Sequence, residues 1–236
     1  MLPIGDENEH SGIAFVTIAL IALNVLAFLN EISRPELALQ GFIFAWGVVP
    51  REYAAGVDLP PHIPFPFWTT LLTSMFLHGG WGHLGGNMLF LWIFGDNIEY
   101  RLGHARFVVF YLVCGIAASV VHIFFNSDSI LPAVGASGAI SGVLGGYLLM
   151  FPRNRVYVLT WAGVVAVPAL FMLGLWIVMQ FISGVGSIAI TGETGRGGGV
   201  AYMAHIGGFV AGLVLAPLFA RRNAVFTRRD PYDRWR

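Results

Sequence analysis

The sequence predicts an all-α, polytopic membrane protein built as a bundle of six transmembrane helices. Three observations carry that expectation. The 236-residue chain is 56% hydrophobic and only 11% charged, whereas a soluble domain needs about 25% charged residues to cover its surface. Its mean hydropathy is +0.72. Six apolar stretches approach the ~20 residues that a helix needs to cross a ~30 Å hydrocarbon core.

The first stretch, residues 12–32, follows Asp6, Glu7 and Glu9 instead of a basic segment, and no small-residue cleavage site succeeds it. A retained span is therefore expected, not a signal peptide. Residues 33–67 mix Pro60, Pro61, Pro64 and Pro66 with Phe65, Phe67 and Trp68, a combination that suits a structured element at headgroup level. The second span, 82–98, is the weakest, because His83 and Asn87 interrupt it. The third, 106–125, contains Cys114, the single cysteine, which excludes an internal disulfide and a Cys-based metal motif and reads as a packed small hydrophobe. The fourth covers 133–151. The fifth, 156–182, has Pro168 at its centre and should bend there. The glycine-rich segment 183–200 predicts a mobile loop, and the sixth span covers 201–220.

Thirteen basic residues, all arginine, balance thirteen acidic ones. That balance argues against a nucleic-acid partner, which requires a basic face. Six spans place both termini on one side. Ten arginines, including Arg101, Arg106, Arg153, Arg155 and the cluster from Arg221 to Arg236, fall on that side, against Arg34, Arg51 and Arg196 on the other. The positive-inside rule makes the termini cytoplasmic. The chain reads as one membrane domain over 1–236, with its core at about 10–220 and a basic cytoplasmic tail at 221–236.

Polar residues inside a bilayer are costly, so each marks a functional hypothesis. They are His83 and Asn87 in span two, His122 in span three, Ser137 and Ser141 in span four, and His205 in span six. Spans two, four and six all start on the outer face, and His83, Ser137 and His205 each fall within about five residues of that start. At ~1.5 Å per residue the three should lie at similar depth. Asn87, four residues after His83, shares its helix face. Ser137 and His205 supply a nucleophile and a base, the minimum for covalent acyl transfer. Asn87, His83 and the Ser137 backbone N–H could donate to an oxyanion. No carboxylate is placed to complete a triad, since Asp96 and Glu99 lie ~14 to 18 Å deeper along the helix. A Ser/His dyad is expected.

Gly138, Gly142 and Gly146 repeat every fourth residue, as do Gly208 and Gly212. Such stripes let two helix backbones approach closely, as a Ser137 to His205 hydrogen bond would require.

Three segments together, His83-Leu84-Gly85-Gly86-Asn87, Gly135-Ala136-Ser137-Gly138 and Ala204-His205-Ile206-Gly207-Gly208 with Gly212, closely resemble the rhomboid family of intramembrane serine proteases over roughly residues 10–220. The resemblance implies a six-span fold that cleaves transmembrane segments of other membrane proteins near the bilayer surface. It implies Ser137 as nucleophile, His205 as general base, and Asn87 and His83 with the Ser137 backbone at the oxyanion, with no metal and no cofactor. His78 is read as a structural hydrogen-bonding anchor and His122 as a polar packing contact. Two departures stand out. Ser141 occupies the place where some members carry a tyrosine stacked on the catalytic histidine, which leaves open what orients His205. The first outer loop also lacks the Trp-Arg pair that some members carry.

A membrane protease must admit water and an unwound substrate, so the 183–200 loop is expected as a lid and span five as a lateral gate. A narrow, glycine-crowded site should favour small residues beside the scissile bond. The competing readings are a catalytically silent relative that binds membrane helices and a small transporter. The expected location is a prokaryotic plasma membrane.

Overall fold

The computed structural model describes residues 2–7, 12–194 and 201–220. The basic tail at 221–236 and the last residues of the glycine-rich segment, 195–200, lie outside the described residues. In chain order the elements are β1 (Leu2–Asp6), α1 (Phe15–Ile32), α2 (Glu36–Trp46), α3 (Pro50–Ala55), α4 (Thr70–Thr73), α5 (Trp81–Leu102), α6 (His104–Phe125), α7 (Ser137–Met150), β2 (Arg155–Thr160), β3 (Gly163–Pro168), α8 (Ala169–Thr194) and α9 (Tyr202–Phe219).

Helix α7 is the centre of the molecule, with every residue from Gly138 to Tyr147 buried. Its small residues bring the neighbouring helices in to backbone distance. A Cβ added at Gly208 of α9 would collide with the Gly138 carbonyl oxygen, and one at Gly212 with the Gly142 carbonyl oxygen. On another side of α7, a Cβ at Gly142 would meet Cys114 of α6, which packs Cys114 as the small hydrophobe expected. Towards the opposite end of α7, Phe94, Phe107, Phe110, Tyr111, Leu144 and Tyr147 fill the core.

Among the described residues three helices, α1, α6 and α9, are long and apolar enough to cross a membrane by length and composition. Helix α7 and residues Ala169–Val185 of α8 are apolar but shorter. Helix α5 has 22 residues but ends in a polar stretch containing Asp96, Asn97, Glu99 and Arg101. Large apolar side chains such as Phe15, Leu26, Phe124, Phe171 and Leu218 are exposed around the bundle, as suits helices that face lipid.

Three expectations need correction. The chain is not all-α, because β1, β2 and β3 form an antiparallel sheet in that order. The fifth apolar run is not one helix. Residues 155–168 are a valine-rich hairpin of two paired strands, turning at Gly163 with a φ of +111°. β-Branched residues favour strands, and an apolar run does not by itself separate strand from helix. Pro168 consequently ends β3 instead of bending a helix, and α8 starts at Ala169. Finally, residues 183–194 of the expected loop continue α8 as helix.

Two carboxylates pin the periphery. Glu99 accepts the N–H groups of Val16 (2.9 Å) and Thr17 (2.7 Å) and the Thr17 hydroxyl (2.8 Å), so it caps an α1 N-terminus that has no side-chain cap of its own. Asp6 of β1 accepts the Tyr147 hydroxyl at 2.6 Å and the Asn97 amide at 3.0 Å, holding the sheet against the bundle. The segment between α1 and α5 is structured, as its composition suggested. It carries α2 and α3, and Val48 pairs with Ala133 through two backbone hydrogen bonds, of 3.0 and 2.8 Å, next to the entry to α7.

Candidate active site

The approach to α7 makes a tight turn. Gly135 has a φ of +131°, a region L-residues rarely adopt, and a Cβ there would lie 2.8 Å from the His83 ring. Its N–H donates to the Ser74 carbonyl at 2.8 Å. Ser137 is the first residue of α7, so its own N–H has no acceptor within the helix. His205 lies in the first turn of α9. The glycine contacts between α7 and α9 put these two helix starts side by side, with His205 Nε2 2.8 Å from Ser137 Oγ.

The other ring nitrogen, His205 Nδ1, lies 2.7 Å from Gln180 Oε1 of α8. An amide oxygen only accepts. Nδ1 must then carry the proton and donate it to Gln180, which leaves Nε2 bare to accept the Ser137 hydroxyl proton. Trp176, one turn before Gln180, lies across His205 with ring centroids 6.0 Å apart and planes tilted by 31°.

His83 and Asn87 lie on the first turns of α5. His83 Nδ1 accepts the Gly79 N–H at 3.3 Å, which turns the ring towards Gly135. Asn87 is buried, and its Nδ2 makes no hydrogen bond among the described residues. An orphaned buried donor is costly, and functional sites tolerate such costs.

Ser141, by contrast, donates to the Ser137 carbonyl of its own helix at 2.6 Å and does not orient His205. His78 is an anchor through its backbone and not its ring. Its N–H donates to the Glu31 carboxylate at 3.0 Å, while both ring nitrogens are buried without partners among the described residues and the ring packs edge-on against Phe28 and His83. Burial, with His83 adding to it, pushes the His78 pKa down to about 4. His122 sits 3.3 Å from the Asn126 amide and lines a cavity of about 30 Å³ with Val48, Ser74, Ala133, Gly135 and Ser137, room for a water or two. Among the described residues no group of His, Cys, Asp or Glu could hold a metal ion.

The sequence reasoning missed Gln180 and Trp176. A signal existed, since Gln180 is an amide within an otherwise apolar run, LFMLGLWIVMQFI.

The family model for the rhomboid domain matches residues 66–222. The chain belongs to the rhomboid family. Similar relatives include the rhomboid protease GluP of Bacillus subtilis, 36% identical over 87% of this chain and 36% of its own length. Rhomboid protein 1, mitochondrial, of Saccharomyces cerevisiae is 34% identical over 61% of this chain and 40% of its own. Rhomboid-like protein 11, chloroplastic, of Arabidopsis thaliana is 30% identical over 66% of this chain and 54% of its own. This rhomboid therefore spans only 36–54% of the length of these relatives. Membership of the family and the apolar helices make it a multi-pass membrane protein.

Proposed function

We propose that this rhomboid is an intramembrane serine endopeptidase that hydrolyses peptide bonds in or near the transmembrane segments of other membrane proteins. The observation that carries the reading is the 2.8 Å approach of Ser137 Oγ to His205 Nε2, a nucleophile within reach of its base. Ser137 Oγ attacks the scissile carbonyl carbon as its proton passes to Nε2. The resulting oxyanion takes hydrogen bonds from Asn87, His83 and the Ser137 N–H. As the C–N bond breaks, His205 gives the proton to the leaving amine, and an acyl-enzyme remains. Water then attacks the ester, its proton passing through Nε2 to regenerate the serine hydroxyl.

The unpaired Asn87 Nδ2 supports the oxyanion assignment, because a donor without a ground-state partner is free to bond the charge that develops. The small cavity beside Ser137 supports a preference for small residues next to the cut. The arginine asymmetry supports six crossings with both termini cytoplasmic. On this reading α8, which carries groups against His205 and exposes Leu170, Phe171 and Leu175, is the lateral gate.

The direct chemical test is a fluorophosphonate probe applied to the purified protein in detergent. A single adduct on Ser137, lost in both Ser137→Ala and His205→Ala, is expected. An unlabelled Ser137 in folded wild-type protein would contradict the assignment.

A further inference from the structure

We infer that Gln180 is a positioning residue that takes the place of a triad carboxylate, fixing the tautomer and ring rotation of His205 and making the dyad depend on the seating of α8. The inference rests on the protease reading. Its geometry is independent of that reading, because Gln180 Oε1 lies 2.7 Å from His205 Nδ1 while Nε2 faces Ser137 Oγ at 2.8 Å. Both ring nitrogens of His205 are thereby engaged, on opposite edges, by two different helices.

The second support comes from Trp176. It precedes Gln180 by four residues, so both project from one face of α8, and its ring packs against the imidazole with centroids 6.0 Å apart and planes tilted by 31°. One side chain restricts the ring's tilt and the other its rotation about the Cβ–Cγ bond. Without the amide acceptor, a neutral histidine can carry its proton on Nε2, the wrong nitrogen for receiving the Ser137 proton. During attack the imidazolium holds protons on both nitrogens, and the Nδ1 proton stays hydrogen-bonded to the Gln180 oxygen throughout. The amide stabilises that cation as a dipole, without a buried charge. Displacing α8 from α9 breaks this contact and removes Trp176 together with it, so an opened α8 carries a disabled base.

The test compares wild type, Gln180→Leu and Gln180→Glu in liposomes, with a single-span reporter and the pH dependence of kcat. Leucine keeps the volume and removes the acceptor. The expected result is a kcat ~10- to 100-fold lower with KM little changed, the size of loss that misplacing a catalytic group produces. Gln180→Glu keeps the acceptor and adds a charge. It should recover cleavage relative to leucine and move the acid limb of kcat upward by about one pH unit or more, because a carboxylate favours the imidazolium. The other titratable groups acting on His205 are His83 on α5 and His122 on α6, which are unchanged in all three proteins and so share any common drift. A Gln180→Leu protein with wild-type kcat, or a Gln180→Glu protein with an unmoved acid limb, overturns the positioning role alone. A wild type that neither cleaves nor takes the phosphonate overturns the protease reading and the inference with it.

Discussion

Ser137 and His205 meet at 2.8 Å because the helices behind them touch backbone to backbone, Gly208 against the Gly138 carbonyl and Gly212 against that of Gly142. The hydrogen bond is therefore a consequence of glycine packing three to seven residues away along α9. Gly208→Ala should force α9 off α7, at a cost of about 1–3 kcal/mol for overpacking. A lowered unfolding temperature in detergent, with loss of phosphonate labelling at Ser137, is expected. Gly174→Ala in α8, where a Cβ meets nothing within 4 Å, should be neutral or stabilising by up to about 1 kcal/mol.

Asn87 offers a separation of activity from stability. Its Nδ2 is already unpaired, so Asn87→Ala removes no hydrogen bond of that donor from the resting protein. Cleavage should fall about 10²- to 10³-fold in kcat, with an unfolding temperature unchanged or raised. A marked loss of stability with intact kcat would move Asn87 out of the oxyanion site.

Ser141 makes the opposite case. Its hydroxyl bonds the Ser137 carbonyl within α7, a local bond of modest net worth. Ser141→Ala should leave kcat within about twofold of wild type and shift stability by roughly 1 kcal/mol or less. A large fall in kcat would give this hydroxyl a part in the reaction.

Glu99 bears on folding and not on catalysis. Removing its carboxylate orphans the N–H groups of Val16 and Thr17 and the Thr17 hydroxyl at a buried helix start. Glu99→Ala should destabilise the protein by about 3 kcal/mol, read as a lower unfolding temperature. The protein that remains folded should still take the probe at Ser137.

Much of the site was legible because helix geometry converts sequence position into depth. Counting spans put His83, Ser137 and His205 at helix starts on one face, and the structure brings Ser137 and His205 into contact there. The four-residue glycine repeats gave the close pair of helices. The arrangement around His205 was not legible, because the fifth apolar run was read as a single helix from 156. Valine-rich strands and apolar helices have the same hydropathy, so the β2–β3 hairpin was absorbed into that span, and Gln180 and Trp176 lost their register. The sheet itself depends on Leu2–Asp6 pairing with Val156–Leu159, a contact between distant segments that no local pattern announces. The anchoring role of His78 was legible but its means was not, since the bond to Glu31 is made by a backbone N–H, invisible to side-chain chemistry.

The most direct test of the central claim places wild type and Ser137→Ala in liposomes with a single-span reporter carrying small residues near the end of its helix on the Ser137 side. The account predicts a discrete cleavage product with wild type and none with Ser137→Ala. Equal cleavage by both proteins, or none by a wild type whose Ser137 also resists the phosphonate, would contradict it.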